Sequence, residues 1–233
     1  HEHAAAALQM TREVLAACEA ATQCGADEIV VKDAHDSARN MIAEMFPDNV
    51  VLIRGWTNTP ESMMAGIDET FDAAIFIGYN GNPLSHTMNR GNNYVKINGK
   101  KAAEFDMNAY VAAYYNVPVV FVSGDKELCD HAQELVPAIT SVGVKYGIGN
   151  ATFNMSCEKA CRLIKDGVKE GLEHLNDCRI KSPEKFEMEI NFKECVSALR
   201  ASFYPGVRQL DAKTVTYTGK DIQDMMTARM FIL

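Results

Sequence analysis

Apolar positions recur at helical spacing from Ala4 to Gln23, with Leu8, Val14, Leu15 and Cys18 in the repeat, and Cys24-Gly25 supplies a stop. The run from Asp27 to Asp33 is apolar in its middle and polar at both ends, which predicts a short strand. Ala34-His35-Asp36-Ser37 follows where that strand's carboxyl end would open into a loop, the place where α/β sheets carry their chemistry. Further strands are expected over residues 50–53, 72–78 and 117–123, with helical stretches at 61–66, 105–115 and 126–135. Strands alternating with helices predict an α/β fold, a mainly parallel sheet with helices on both faces.

A second pattern begins at Tyr94. Residues 94–97 and 100–103 flank Asn98-Gly99, a pair that readily takes the positive φ angles of a type I′ turn, so a β-hairpin is expected that leads directly into Glu104. The last third reads as a helix over 156–175, a strand with alternating character over 186–192, a helix near 193–200, and a closing strand and helix. Lys181-Ser182-Pro183 is the natural boundary. Residues 1–180 are therefore expected to form the main α/β body, and residues 181–233 a smaller α+β portion packed on it.

Composition narrows the function. There are 23 basic and 31 acidic residues, a net charge of −8, and no clustered Lys/Arg stripe, which argues against nucleic acid as a partner. No apolar run approaches the roughly 20 residues needed to cross a bilayer, and no signal peptide opens the chain, so a soluble cytoplasmic protein is expected. The seven cysteines are odd in number and scattered, as reduced structural thiols are; Cys157 and Cys161 lie four apart on a helix without a second pair to complete a metal site.

Three residues lie at element ends: His35 after a strand, His86 within Pro83-Leu84-Ser85-His86-Thr87-Met88, and Glu104 after the hairpin. Two imidazoles and a carboxylate suit zinc, which accepts mixed nitrogen and oxygen ligands and keeps a position open for catalysis. Such residues also serve as caps and turns, so the pattern alone leaves both readings open. His1-Glu2-His3 is a poor substitute cluster, because positions i and i+2 of a helix face different ways. His131 and His174 fall in helical stretches among solvated residues, and Met63-Met64 and Met225-Met226 suit core filling. Lys145 falls at an expected strand end, where it could contact a substrate carboxylate.

Lys32-Asp33-Ala34-His35-Asp36-Ser37, Phe76-Ile77-Gly78-Tyr79, Asn82-Pro83-Leu84-Ser85-His86-Thr87-Met88 and Glu104 through Asn108-Ala109-Tyr110-Val111 resemble, in order and nearly in spacing, the zinc-dependent D-aminopeptidase family of dipeptide-transport operons. The resemblance continues through Ser123-Gly124-Asp125 and Val144-Lys145 to Pro205-Gly206 and Lys220-Asp221, and so covers nearly the whole chain. It implies an aminopeptidase that removes N-terminal D-amino acids from short peptides with two zinc ions per subunit. His35 and Glu104 match metal ligands, and His86 matches a catalytic histidine that holds no metal. It also implies a ring-shaped homo-oligomer.

Two departures stand out. The family's opening strand, Asp-x-Glu-Gly, has no counterpart from His1 onward, and Asn80 follows Gly78-Tyr79 where the family has a ligand histidine. The expectation is that the protein has residues upstream of His1 and after Tyr79 that supply these ligands. The alternative is a metal-free, non-catalytic member acting as a binding or assembly module. A metal amidohydrolase acting on another small amide is a third reading.

Overall fold

The computed structural model describes residues 2–80 and 91–233; His1 and the segment containing His86 lie outside the described residues. The first helix, α1 (Glu2–Gln23), ends as its sequence requires. Gly25 takes φ +100°, the Gly25 N–H donates to Thr22 O, and the Ala26 N–H donates to Ala21 O. That paired closure satisfies carbonyls that a helix end leaves open.

The chain then builds three sheets. β1 (Ile29–Lys32) and β2 (Val50–Ile53) form a parallel pair. β3 (Ala74–Tyr79), β6 (Val119–Asp125) and β7 (Thr140–Ile148) run parallel in a second sheet, with β8 (Ala151–Asn154) antiparallel on the edge of β7. β6 is buried from Val119 to Gly124, as expected for a continuous apolar run in a sheet interior. The third sheet is antiparallel and joins β10 (Arg208–Gln209), β11 (Thr214–Gly219), β9 (Phe186–Phe192), β4 (Asn92–Ile97) and β5 (Lys100–Lys101) in that order. It draws β4 and β5 from the chain before residue 180 and the other three strands from after it. The β4–β5 turn follows expectation, with Asn98 at φ +50° and Gly99 at φ +80°.

The helix expected over 61–66 is a single 3-10 turn, Ser62–Met64, because Ser62 and Gly66 both adopt positive φ and break the helical repeat. The mixed α/β architecture otherwise follows expectation, with α3 (Lys126–Leu135) and α4 (Cys157–Glu173) in contact with β6 and β7. Leu128, Ile164 and Val168 carry that packing into the main core, which also contains Phe76, Phe105 and Phe121.

One helix belongs to two cores. α2 (Glu104–Tyr114) presents Phe105, Ala109 and Ala112 to the main core, and Met107 and Val111 to the core under the antiparallel sheet. In that second core they meet Phe186, Met188 and Ile190 of β9 and Met225 and Met226 of α6 (Ile222–Ile232). The first turn of α2 is fixed by Asp106, whose Oδ2 accepts the Ala103 N–H at 2.7 Å and whose Oδ1 meets His131 Nε2 of α3 at 2.8 Å. His131 was expected on a solvated face, yet it sits part-buried in this bond, because the carboxylate that receives it comes from another helix.

The hydrogen bond to Asp106 raises the His131 pKa above the usual imidazole value, against the opposing effect of burial. The imidazolium therefore favours the fold; its contribution is complete below the unfolded pKa and fades as pH climbs through the raised folded value. His131→Ala is expected to cost about 1–3 kcal/mol near pH 5 and clearly less at pH 9. Urea unfolding of both proteins across that range checks it; a cost independent of pH contradicts the bond. At Gly124, φ +158°, an added Cβ would stand 1.9 Å from the Tyr79 carbonyl oxygen. Gly124→Ala is thus expected to destabilise by about 2–4 kcal/mol, measured by the same unfolding experiment.

Candidate active site

β1 is followed directly by Asp33, a fully buried carboxylate that organises the loop bearing His35. It accepts the Met41 N–H at 2.9 Å, the Asn40 N–H at 2.5 Å, the Asn40 side-chain amide at 3.1 Å and the His35 N–H at 3.4 Å. Many donors converging on one carboxylate let it stay buried and hold the loop in one conformation. Asp36 and Ala38 take left-handed φ of +46° and +56°. The Trp56 indole N–H donates to Asp36 O at 2.8 Å, and the Gly55 N–H donates to Ala38 O at 2.7 Å, which ties the loop to the segment after β2. Lys32 donates to Gly55 O at 3.0 Å and lies over the Trp56 ring, 4.6 Å from its centroid. His35 itself is exposed.

The second group of residues gathers at the carboxyl end of β3. Tyr79 stacks on Phe76, with ring centroids 4.8 Å apart, and its hydroxyl accepts from the Asn108 side-chain amide of α2 at 2.9 Å. Burial pushes the phenol pKa far up, and the Glu104 charge pushes the same way. Glu104 opens α2 and stands within electrostatic reach of both Tyr79 and Arg229. The Arg229 Nε is buried without a hydrogen-bond partner among the described residues, and burial holds the guanidinium below its usual pKa while the Glu104 charge pulls it back.

Packing explains how Arg229 comes to Glu104. The Gln223 side-chain amide in the first turn of α6 donates to the hydroxyl of Tyr115, just past the end of α2, at 2.7 Å. Six residues on, about 9 Å along the helix, Arg229 has travelled back toward the start of α2.

Lys145 is not at a strand end, as expected, but inside β7, at the position where β7 leaves β6 and begins to pair with β8. Its ammonium bonds the Asn80 side-chain oxygen and lies 3.9 Å from Asp125 at the end of β6. Asn80 immediately precedes the segment that carries His86. The structure thus brings Glu104 to Tyr79, and Lys145 to Asn80 and Asp125. No hydrogen bond or ion pair joins His35 to Glu104 among the described residues, although Val31 of β1 and Ile77 of β3 pack in one cluster.

Among the described residues no three His, Cys, Asp or Glu side chains converge as a metal site. A zinc centre takes four donors, or three plus solvent, so His35 and Glu104 do not by themselves fit one. Two residues that shape the site were not singled out from sequence. Asp33 acts through backbone N–H groups up to eight positions away, which no local motif announces. Arg229 had a legible signal, the one basic residue of α6, three and four residues after the buried Met226 and Met225.

The cysteines are free, and no described helix is long and apolar enough to cross a membrane. The Peptidase M55 family model, described as D-aminopeptidase, matches residues 1–231. A D-aminopeptidase of Bacillus subtilis (strain 168) is 31% identical over 231 residues, covering 96% of this chain and 84% of the relative. A solved structure, the Zn-dependent D-aminopeptidase DppA from Bacillus subtilis, described as a self-compartmentalizing protease, superposes with a TM-score of 0.91 at 31% identity, over 97% of this chain and 85% of that one. On a match that spans almost its whole length, the chain belongs to the D-aminopeptidase family of peptidases.

Proposed function

We propose that the protein is a zinc-dependent aminopeptidase that removes N-terminal D-amino acids from short peptides, with a dinuclear metal site in the α/β portion, residues 1–180. The observation that carries this reading is the position of Glu104: it opens a helix buried in two cores, beside the carboxyl end of the strand that leads into the segment carrying His86. The Zn-dependent structural neighbour supports zinc as the metal, and its self-compartmentalizing description supports a homo-oligomer.

In this reading His35 and Glu104 would each give a donor to the metal. Zinc, when bound, would supply the electrophile that polarises the scissile carbonyl. The protein's own groups do the rest. The Asp33 network holds the His35 loop, and α2 fixes the direction of Glu104. His86 moves the proton between attacking water and departing amine, the general acid/base role most often taken by an imidazole. Lys145, held between Asn80 and Asp125, offers a cation to a substrate carboxylate.

Metal analysis of the full-length protein, combined with hydrolysis of D-alanine and L-alanine amides, tests the assignment. Wild type is expected to carry zinc and to prefer the D-amide. Glu104→Ala is expected to lose metal and activity together. His86→Ala should keep its metal and lose about 10²–10⁴-fold in kcat. Unchanged rates in both variants contradict the roles, and a metal-free, inactive wild type favours a binding or assembly module instead.

A further inference from the structure

From Thr140 to Lys145 the strand β7 is paired with β6, but from Tyr146 on its sole partner among the described residues is β8, and the two strands run past the sheet as a two-stranded ribbon closed at Gly149-Asn150. The register places Tyr146 opposite Phe153 and Ile148 opposite Ala151. Since Tyr146 and Ile148 are two apart in one strand, all four side chains share a face. The other face carries Gly147 and Thr152. The ribbon is thus amphipathic, and its apolar face is open: Tyr146 is 46%, Ile148 63% and Phe153 48% exposed, with the two rings stacked at 4.8 Å. A two-stranded ribbon is marginal in water unless a face is covered. Residues 146–155 contain no charge, and natural edge strands use charge to prevent pairing with another chain.

A different apolar face lies on the antiparallel-sheet side. α5 (Cys195–Ala201) and the turn after it expose Val196 (66%), Leu199 (51%) and Phe203 (79%), spaced three and four residues apart on one stripe. A groove of about 320 Å³ runs beside them, lined by Cys195, Val196, Leu199, Gln209 and Ala212. The flanks of the two faces differ in charge. α3, which packs on β7, exposes Glu127, Asp130 and Glu134 against Lys126. Around α5 and β10 the exposed charges are Lys193, Arg200, Arg208 and Lys213 against Glu194 and Asp211. In a chain of net charge −8, this is a basic surface that fits an acidic one on another copy.

We infer that the apolar face of the β7–β8 ribbon docks in the α5 groove of a second copy of this chain, a head-to-tail contact. Two unlike complementary faces on one chain give a heterologous interface, which closes into a ring when the rotation between copies allows it. The apolar side chains form the centre and the opposed charges the rim, the usual anatomy of a stable interface of about 800 Å² per partner. The inference rests on the homo-oligomer proposed above and names the surfaces that would make it.

Two variants test it, Ile148→Asp/Phe153→Asp on the ribbon and Val196→Asp/Phe203→Asp on the groove, each checked for native circular dichroism and melting temperature. All four side chains are exposed, so the fold should survive. In sedimentation velocity the wild type is expected to assemble, and each variant alone to run as a monomer, with association weakened at least about 100-fold. An equimolar mixture should stop at a 1:1 heterodimer, since one intact ribbon and one intact groove remain. A groove variant that still assembles, or a mixture that stays monomeric, overturns the head-to-tail contact while leaving oligomerisation intact. A monomeric wild type at all concentrations overturns both, without touching the amide-hydrolysis result.

Discussion

The double burial of α2 is the constraint on which the site depends. Phe105, Met107 and Val111 are wholly enclosed, and each contributes about 1.5–3 kcal/mol by burial. Because they point into two different cores, the helix has no freedom to roll. Glu104, Asp106 and Asn108 inherit that rigidity. Asp106 ties the helix to α3 through His131, Asn108 ties it to Tyr79 of β3, and Glu104 is left as the outward acid of a helix whose position is set on every side. Placing the carboxylate proposed as a metal ligand on a rigid element keeps it within the small tolerances that chemistry demands.

Electrostatics adds to that geometry. Tyr79 of β3 and Arg229 of α6 both lie within electrostatic reach of Glu104, the one a part-buried phenol whose pKa is raised, the other a desolvated guanidinium. The antiparallel packing of α2 and α6, locked at the far end by the Glu61, Tyr115 and Gln223 hydrogen bonds, sets the height of Arg229 relative to Glu104. The antiparallel sheet, whose side chains carry none of the proposed roles, thus acts on the site through α6.

Much of this was readable from the chain. Period-two alternation located β9, Asn98-Gly99 located the β4–β5 turn, and a polar cluster after an apolar run put His35 at a strand end. The family motifs supplied roles that spacing alone left open. The rest was hidden for physical reasons. Asp33 reaches backbone N–H groups up to eight positions on, and Asp106 reaches His131 on another helix, so those partners lie outside any local pattern. The β7–β8 ribbon alternates Tyr146 and Ile148 with glycines, and the glycines read as turn rather than strand. Ser62 adopts a left-handed φ that no serine advertises, and it ends the helix expected there.

The central claim is that α2 delivers Glu104 to a bound metal. Anomalous diffraction at the zinc absorption edge, from crystals of the full-length protein grown with zinc, tests it most directly. The account predicts an anomalous peak within about 2.2 Å of a Glu104 carboxylate oxygen. A zinc-saturated crystal in which the peaks lie elsewhere, with Glu104 turned into an ion pair with Arg229, would contradict it.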